Sequence, residues 1–403
     1  MNNRIGGMAL AIENAQAACG PQPARPRPAV LIIIASLHHG GTEVQTLHTA
    51  RALCDLGYDV RLLCPFEAEP SVSAWFESLG IPVDVMGLRN PRNYTVIVSR
   101  LARRIRAIRP DYVHVQYIAP GLLSVLAARA ARVPRVVITV HQLGSQCSGF
   151  ERLLFWSATR LADLTLCVSA AAAKSWFDPA ASSCFFPRPG RYAVAHNCVD
   201  AATVAPSPAR ATGAPPVIGY VGRIRREKGV DILLQAAGML SRSVAFRLVI
   251  VGDGPEAPEC KGLAASLGIE SLIDWRPFVS PGRLAEVYRS FDVLVVPSRL
   301  EGFGLVAAEA MAQGVPVVAA NVGGLPEVVE DGVTGLLFAP GNPADLADKL
   351  SAVLSDLAWA RSLGAAGAQS VRLRFSVRAY RARIAELYRS IAPPHPRRAA
   401  QIA

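Results

Sequence analysis

The stretch that decides the fold is DVLVVPSRLEGFGLVAAEAMAQGVPVVAA, residues 292–320. It opens with an apolar run at 292–297 and closes with another at 315–320, and a segment of helical periodicity at 305–313 lies between them. Runs that are apolar along their whole length are typical of strands buried on both faces, as in parallel sheets covered by helices. The stretch therefore predicts a strand–helix–strand unit of a parallel sheet.

The same alternation of strand and helix extends outward through both halves of the chain. In the carboxyl half it predicts strands at 217–221 and 247–252 and helices at 230–240 and 284–291. In the amino half it predicts strands at 29–36, 59–64, 83–87, 111–117, 136–140 and 164–169, with helices such as 42–56 and 121–132. We therefore expect an α/β fold of two facing, doubly wound, Rossmann-like domains with a ligand cleft at the carboxyl ends of their strands.

Length and composition set the predicted domain boundaries. The 403 residues are 51% hydrophobic and only 18% charged, which excludes a disordered chain. We assign residues 28–200 to the first domain, 201–216, with four prolines, to a hinge, 217–375 to the second domain and 376–391 to a C-terminal helix. Residues 1–27 and 392–403 are expected to be disordered tails. A signal peptide is the alternative for the first tail, but its apolar run at 8–12 is short and Glu13 interrupts it.

Charge is distributed unevenly along the chain. The net charge is +11, and the segment from Arg89 to Arg135 contains ten arginines and one acidic residue, Asp111. A helix predicted at 94–109 carries much of this charge on Arg100, Arg103, Arg104 and Arg106. One interpretation is an ordinary solvated helix face, and the other is contact with an anionic membrane surface. Nucleic acid is disfavoured, because exposed aromatic residues for base stacking are not interleaved with these arginines.

Cysteine usage and hydropathy bear on location. The eight cysteines form no Cys-x-x-Cys pair, a pattern that favours reduced, buried thiols over a disulfide framework. Apolar runs stay shorter than the roughly 18 residues of a membrane-spanning helix. We therefore predict a cytoplasmic protein, with peripheral contact at the membrane as a hypothesis.

Two glutamates flank a glycine-rich loop in the deciding stretch. Glu301 follows a strand, and Glu309 lies about one turn into the next helix. Between them, Gly302 and Gly304 permit close backbone approach, and their N–H groups precede a helix N-terminus, which favours phosphate. Carboxylates are natural acceptors for ribose and sugar hydroxyls. The alternative, a solvated loop with a surface glutamate, conflicts with the apolar residues around Glu309.

A basic loop follows the first strand of the same half. The strand ends at Gly222, and Arg223 and Lys228 lie in the loop after it. An arginine can hold a diphosphate through two hydrogen bonds, and a lysine adds a point charge. A plain surface loop is the alternative, but the position at a strand's carboxyl end favours an anion site.

Residues 252–257 match part of the dinucleotide-binding fingerprint through Gly252, Gly254 and Ala257. We reject a dehydrogenase because the match follows the second strand of its half, and because Pro255 and Pro258 are expected to spoil the turn into a helix.

The amino half offers fewer candidates. Gly40 and Gly41 follow the first strand and precede a helix, so their N–H groups can face an anion. His141 ends a strand and can offer a neutral imidazole to a sugar hydroxyl, although a structural role is the alternative. We expect no metal, since His38 and His39 lack partners at ligand spacing and the chain has no Asp-x-Asp pair.

At these residues the chain resembles retaining glycosyltransferases of the GT-B type, specifically glycosyltransferase family 4 (glycosyl transferases group 1). The resemblance covers about residues 29–390 and is strongest where Glu301 and Glu309 fit the Glu-x7-Glu signature, ahead of Gly-Val-Pro-Val at 314–317 and Gly-Gly-Leu-Pro-Glu at 323–327. Gly-Gly-Thr-Glu at 40–43 and Asn-Cys-Val-Asp at 197–200 match more loosely. The family usually has glycine where Cys198 stands, so a positive φ there would strain the cysteine.

The resemblance implies a role for each matching residue. Arg223 and Lys228 would hold the donor diphosphate, Glu309 the ribose and Glu301 the donor sugar, with His141 also on the sugar. Phosphate would meet the backbone of Gly41, Phe303, Gly304 and Leu305. Gly40, Gly222 and Gly302 would also belong to the donor-binding site. It implies transfer, without metal or cofactor, from a nucleotide sugar such as a UDP- or GDP-sugar to a glycan or lipid-linked acceptor, with retention, in bacterial surface polysaccharide or glycolipid synthesis. The first domain would then face the acceptor and the second would bind the donor. The alternatives are a GT-B epimerase or phosphorylase, or a non-catalytic donor-binding partner subunit.

Overall fold

The structure is a computed structural model that describes residues 27–88, 93–117, 121–177, 192–200 and 214–392. The predicted tails, except Arg27 and Ala392, and the predicted hinge, except residues 214–216, lie outside these ranges.

The first domain alternates strands and helices along the described chain. Its elements are β1 (Ala29–Ile34), α1 (Gly41–Asp55), β2 (Asp59–Cys64), α2 (Pro70–Glu77), β3 (Val83–Val85), α3 (Tyr94–Ile108), β4 (Tyr112–Tyr117), α4 (Leu122–Ala130), β5 (Arg135–Val140), α5 (Gly149–Leu161), β6 (Leu164–Cys167), α6 (Ala170–Phe177) and β7 (Tyr192–Val194).

The second domain repeats the scheme. Its elements are β8 (Val217–Val221), α7 (Val230–Leu240), β9 (Arg247–Val251), α8 (Ala257–Ser266), β10 (Ile273–Arg276), α9 (Pro281–Arg289), β11 (Val293–Val296), α10 (Leu305–Ala312), β12 (Val317–Ala320), α11 (Leu325–Val328), β13 (Leu336–Phe338), α12 (Pro343–Ser355), α13 (Leu357–Arg374) and α14 (Val377–Ser390). Short 3₁₀ turns lie at Gly144–Gln146, Arg226–Lys228 and Glu270–Leu272.

Both sheets are doubly wound. The first has the order β3-β2-β1-β4-β5-β6-β7 and the second β10-β9-β8-β11-β12-β13, and the paired strands run parallel. The order reverses between β1 and β4 and between β8 and β11. Ligands of such sheets bind in the crevice at this reversal, outside the carboxyl ends of the strands. The predicted fold class is confirmed, and the reversal in the second sheet lies between the loops that carry Lys228 and Glu301.

Strand burial explains which elements the sequence revealed. The central strands β11 and β12 are buried along their whole length, so their apolar runs stand out. The strands that we did not predict, β7, β10 and β13, lie at sheet edges or are only three or four residues long. The strand predicted at 315–320 begins only at Val317, since Pro316 has no N–H for the ladder.

The C-terminal helix returns to the first domain. Tyr380 and Tyr388 of α14 are buried in the core that holds Val30 and Ile32 of β1. The Tyr388 hydroxyl lies 2.8 Å from Nδ1 of His114, a fully buried histidine on β4. Helix α14 therefore completes the first domain, and His114 has a structural role.

Among the described residues, none of the helices is both long and apolar enough to cross a membrane.

Candidate active site

The loops after β8 and β11 are held together by close backbone packing. Gly229 has a φ of +68°, and a Cβ there would lie 2.0 Å from the Pro297 carbonyl oxygen. Arg299 reaches the start of α7 and donates to both oxygens of Asp231, at 2.7 and 2.6 Å. The hydrogen bonds from Arg299 hold the pKa of Asp231 below its usual value despite the opposing effect of burial. Lys228, between these contacts, is thereby directed toward the β11 loop.

Lys228 and Glu301 form the centre of the site. The Lys228 ammonium lies 2.8 Å from Glu301 Oε2, and the side chains are only 30% and 14% exposed. Ser298 donates a second hydrogen bond to the same oxygen at 3.2 Å. The carboxylate is therefore oriented by two donors from its own domain, with Oε1 not engaged by either of them.

Glu309 lies one turn into α10, and a residue of the neighbouring helix α9 holds its side chain. It accepts a hydrogen bond of 2.6 Å from the hydroxyl of Tyr288, a buried residue of α9. Burial raises the pKa of Glu309 to about 7, and the hydrogen bond from Tyr288 opposes that rise. Since Tyr288 occupies Oε2, Glu309 has its other carboxyl oxygen for a ligand hydroxyl.

Arg223 crosses the cleft in this structure. The side chain is exposed, and its Nη2 donates to the His39 carbonyl oxygen of the first domain at 3.2 Å. Gly222 begins its loop at a φ of +155°, and the Tyr220 hydroxyl donates to the Arg223 carbonyl oxygen at 2.8 Å. The guanidinium thus stands at the mouth of the cleft with one of its donors on the opposite domain.

The glycine pair of the first domain faces the second domain at close range. A Cβ on Gly41 would lie 2.9 Å from Cδ1 of Leu305, the first residue of α10. A Cβ on Gly40 would lie 2.6 Å from Glu43 Oε2 and 3.4 Å from Arg223 Nη2. Burial raises the pKa of Glu43, and the positive charge of Arg223 is among the effects that oppose the rise. Because both positions are glycine, the N-terminus of α1 can lie close to the start of α10 without a steric clash.

His141 stands at the end of β5 with its imidazole anchored. Its Nε2 lies 2.7 Å from Oε1 of Gln116, a buried residue of β4. Burial lowers the pKa of His141 to about 4, so the ring is neutral at pH 7. With Nε2 engaged by the Gln116 carboxamide, Nδ1 is the ring nitrogen that can meet a ligand. The backbone of His141 contacts the loop after β11, since a Cβ on Gly302 would lie 2.5 Å from the His141 carbonyl oxygen.

The loop from Gly302 to Gly304 presents backbone to the cleft. The Phe303 side chain is buried and packs edge-on against Phe375, with ring centroids 5.3 Å apart. Gly304 adopts a φ of +104° and precedes α10 as its N-cap residue. Its conformation and its space against Leu325 both require glycine, since a Cβ would lie 2.6 Å from Leu325 Cδ2.

The glycines that mimic a dinucleotide fingerprint serve packing. A Cβ on Gly252 would lie 1.9 Å from the Gly222 carbonyl oxygen, and one on Gly254 would lie 2.1 Å from the Ile224 carbonyl oxygen. These glycines therefore let the β9 loop support the loop that carries Arg223. One reason for rejecting the fingerprint was wrong: α8 begins at Ala257 and holds Pro258 in its first turn, where proline is tolerated.

Cys198 is unstrained where the family usually has glycine. Arg109 and Arg132 are the described non-glycine residues with positive φ, so Cys198 does not need that conformation. Its N–H donates to the side-chain oxygen of Gln45 at 3.0 Å, which fixes the segment against α1.

The histidine pair before Gly40 engages carboxylates. His38 lies within 3.3 Å of Glu67 and 3.0 Å of Glu69, and His39 lies within 3.5 Å of Glu69. Over the described ranges, no three His, Cys, Asp or Glu side chains form a group that could hold a metal ion.

The arginine-rich helix α3 packs its apolar stripe inward. Leu101 and Ile105 are buried in the first domain, while Arg100, Arg103, Arg104 and Arg106 are exposed. Arg104 pairs with Asp84, and Arg106 donates to the Ala130 carbonyl oxygen at 2.7 Å. The stripe is therefore engaged in the core, and the arginine face is open to a partner.

The structure brings all of the predicted donor-site residues to one cleft, and it adds Tyr288, Ser298 and Gln116, which sequence reasoning missed. Gln116 gave a faint signal as a polar residue at the end of an apolar strand. Tyr288 and Ser298 gave none, because a tyrosine in an amphipathic helix and a serine in a loop are ordinary.

Two doubly wound domains that face each other across a cleft with a cationic and a carboxylate-bearing loop define the GT-B glycosyltransferase class. The family model described as Glycosyl transferases group 1 matches residues 207–370, and that of Glycosyltransferase Family 4 matches residues 39–203. A D-inositol 3-phosphate glycosyltransferase of Kribbella flavida is 31% identical over 395 residues, which cover 86% of this chain and 92% of that relative. The chain belongs to glycosyltransferase family 4.

Other relatives match over shorter stretches. A D-inositol 3-phosphate glycosyltransferase of Nocardia farcinica is 45% identical over 157 residues, and the match spans only 35% of that relative's length and 37% of this chain. Among solved structures, Anabaena Alr3699/HepE in complex with UDP and glucose superposes with a TM-score of 0.78 at 23% identity, covering 90% of this chain and all of that one. A glycosyltransferase from Rickettsia africae gives 0.78 at 21% identity, covering 92% and 100%. At this level of identity the two structures show the fold.

Proposed function

We propose that this protein transfers a sugar from a nucleotide-diphosphate donor to a hydroxyl of a glycan or lipid-linked acceptor, as in bacterial surface polysaccharide or glycolipid synthesis. The observation that carries the proposal is the Lys228–Glu301 pair, held 2.8 Å apart where the strand order of the second sheet reverses. The backbone of His141, from the first domain, approaches the neighbouring Gly302 across the cleft.

The cationic residues would stabilise the departing nucleoside diphosphate. As the bond from the sugar C1 to the diphosphate breaks, negative charge builds on the phosphate oxygens. Lys228 is preorganised by its contact with Glu301. Arg223 stands at the cleft mouth, where Nη2 donates to the opposite domain and the other N–H groups of the guanidinium can face the phosphates. Fixed cations at a site of developing charge lower the barrier, because they need no reorganisation during the reaction.

The carboxylates would select the donor. Glu309 would accept from the ribose hydroxyls through the oxygen that Tyr288 does not occupy, and Glu301 would accept from the sugar. His141, neutral and with Nε2 engaged by Gln116, would bind a sugar hydroxyl through Nδ1. The backbone N–H groups at the start of α10 would meet the phosphates, as helix N-termini favour anions.

The relatives reduce the number of candidate donors and acceptors to test. Because Alr3699/HepE was solved with UDP-glucose and with UDP, UDP-hexoses are the first donors to try. A second acceptor class, inositol phosphates, is favoured by the 31% identical relative that is called a D-inositol 3-phosphate glycosyltransferase. We further propose that transfer proceeds with retention of the anomeric configuration and without a metal ion.

The test is a thermal-shift screen of UDP-, GDP- and ADP-sugars, since a cognate donor stabilises the folded state by mass action. The stabilising donor is then incubated with polyprenyl-linked saccharides and with inositol phosphate, with and without EDTA, and product anomers are assigned by NMR. We expect one donor class to be transferred, with activity retained in EDTA. Conversion of the donor without acceptor would indicate an epimerase or phosphorylase, and donor binding without any transfer would indicate a non-catalytic partner subunit.

A further inference from the structure

The Gly-Gly-Leu-Pro-Glu segment, residues 323–327, belongs to the second domain but ends on the first. Glu327 accepts hydrogen bonds from the N–H groups of Ala170 at 2.8 Å and Ala171 at 2.7 Å. These groups begin α6, where the first N–H groups of a helix have no partner within it. A carboxylate at this end also interacts favourably with the helix dipole. A side chain of one domain therefore caps a helix of the other.

The Glu327 carboxylate is ionised where it lies. Burial alone would raise its pKa, but the hydrogen bond from His196 and those from the two helix N–H groups outweigh burial and hold the pKa below its usual value. His196 Nε2 lies 2.8 Å from Oε2. Arg374 also donates to the Glu327 carbonyl oxygen at 2.8 Å, which fixes the backbone. Both carboxylate oxygens are thus engaged with the first domain.

A second hydrogen bond links the two domains at the same contact, and its donor again belongs to the first domain. The buried Ser169, directly before α6, donates its hydroxyl to the Gly302 carbonyl oxygen at 2.6 Å and accepts from the Ala172 N–H at 2.9 Å. Gly302 follows Glu301 in the loop after β11. The residue directly before α6 therefore holds the loop that carries Glu301.

The 323–327 segment also touches the loop after β11 at its other end. Gly323 has a φ of +56°, and a Cβ there would lie 1.9 Å from the Glu301 carbonyl oxygen. The Gly324 N–H donates to that oxygen at 3.1 Å. One short segment thus bonds to the backbone of Glu301 through Gly324 and, three residues later, to the opposite domain through Glu327.

We propose that Glu327 is a positioning residue that holds the two domains in register, so that His141 stands opposite Glu301. It lies outside the donor contacts proposed above and acts by capping α6 across the joint. The activity arm of its test rests on the proposed function, whereas the structural arm does not.

The structural arm measures amide hydrogen exchange in peptides that contain residues 170–172, for the full chain and for Glu327→Ala and Glu327→Gln. We expect exchange there to accelerate on the order of 10-fold or more in Glu327→Ala, and less in Glu327→Gln, whose amide oxygen can still accept one N–H. Glu330→Gln, an exposed glutamate three residues away, is the matched control and should behave as wild type. Unchanged protection in Glu327→Ala would overturn the proposal.

The activity arm compares binding of UDP with turnover of the donor that the screen identifies. We expect UDP affinity to change less than about 3-fold, because most of the proposed nucleotide contacts lie within the second domain, while kcat falls on the order of 10- to 100-fold. Faster exchange with unchanged kcat would reject positioning and leave a purely structural cap. If Glu327→Ala does not fold, Glu327→Gln carries the comparison. A wild type that turns over no nucleotide sugar would count against the proposed function. The exchange result would still decide whether Glu327 caps α6 across the two domains.

Discussion

The two domains share one sheet topology but place different chemistry at the carboxyl ends of their strands. The second domain gathers Arg223, Lys228 and two carboxylates at its reversal point. The first contributes the backbone of Gly40 and Gly41 and a neutral imidazole, His141, while Arg100, Arg103, Arg104 and Arg106 lie on the exposed face of α3. Most of the charged side chains described at the cleft therefore belong to the second domain.

This difference explains why the binding residues of one domain can be recognised from sequence motifs and those of the other cannot. A leaving diphosphate needs fixed positive charge, so its residues are constrained in type and stand out in a sequence. An acceptor hydroxyl needs only shape and neutral hydrogen-bond partners, which many side chains supply. The donor half can thus be read from motifs, and the acceptor half must be read from its surface.

The sharpest test of the comparison is Lys228→Ala in the donor half. We expect turnover to fall on the order of 10³-fold, the loss found when a preorganised group facing the leaving charge is removed. UDP release in the presence of donor and acceptor measures it. Arg225→Ala, an exposed cation on the same loop, is the control and should retain activity. Near-full activity of Lys228→Ala would contradict the site assignment.

Gly302→Ala tests whether the halves must approach as closely as they do. The new methyl would lie 2.5 Å from the His141 carbonyl oxygen, so the backbone on one side of this contact must shift away from the other. We expect roughly 100-fold slower turnover, since small misplacements of reacting groups have effects of that size. Gly262→Ala is the matched control, because its Cβ meets open space on α8. Equal kcat for the two variants would show that close approach is dispensable.

Glu309 gives the donor half a pH dependence. Its pKa of about 7 is raised above the ordinary value, so the carboxylate is protonated in acid and ionised above neutrality. Ribose hydroxyls donate best to the ionised form, so UDP affinity should rise about tenfold from pH 6 to pH 8. Isothermal titration across this range measures it.

Two variants decide whether Glu309 is the titrating group. Glu309→Gln should lose the dependence. Tyr288→Phe should move the midpoint to higher pH, because the tyrosine hydrogen bond lowers the pKa of Glu309. A dependence that persists in Glu309→Gln would assign it to another group.

The smallest expected effect concerns the outer face of the acceptor half. If α3 rests on anionic lipid, Arg103→Ala should weaken binding to vesicles that contain phosphatidylserine about fivefold, the value of one surface cation. Flotation with and without the anionic lipid measures it. Arg361→Ala, an exposed arginine of α13 in the second domain, serves as control. Negligible binding of the wild type to both vesicles would dismiss membrane contact through α3.

The sequence predicted what is local and missed what depends on packing. The central strands and the residues Arg223, Lys228, Glu301 and Glu309 follow from short motifs at strand ends. The Tyr288–Glu309, Gln116–His141 and Ser169–Gly302 hydrogen bonds join residues 21, 25 and 133 positions apart, and no periodicity reports such pairs. The edge strands β7 and β10 were missed because half-exposed strands lack a continuous apolar run.

The return of α14 to the first sheet has a consequence for how the protein is made. The core around β1 stays uncovered on one side until Tyr380 and Tyr388 arrive, and a ribosome supplies them only after all the strands of the second sheet. The first sheet is thus synthesised before the second but covered after it. Loss of a dozen residues before Ile391 would expose apolar surface on the first domain, so the two domains should melt as one cooperative unit.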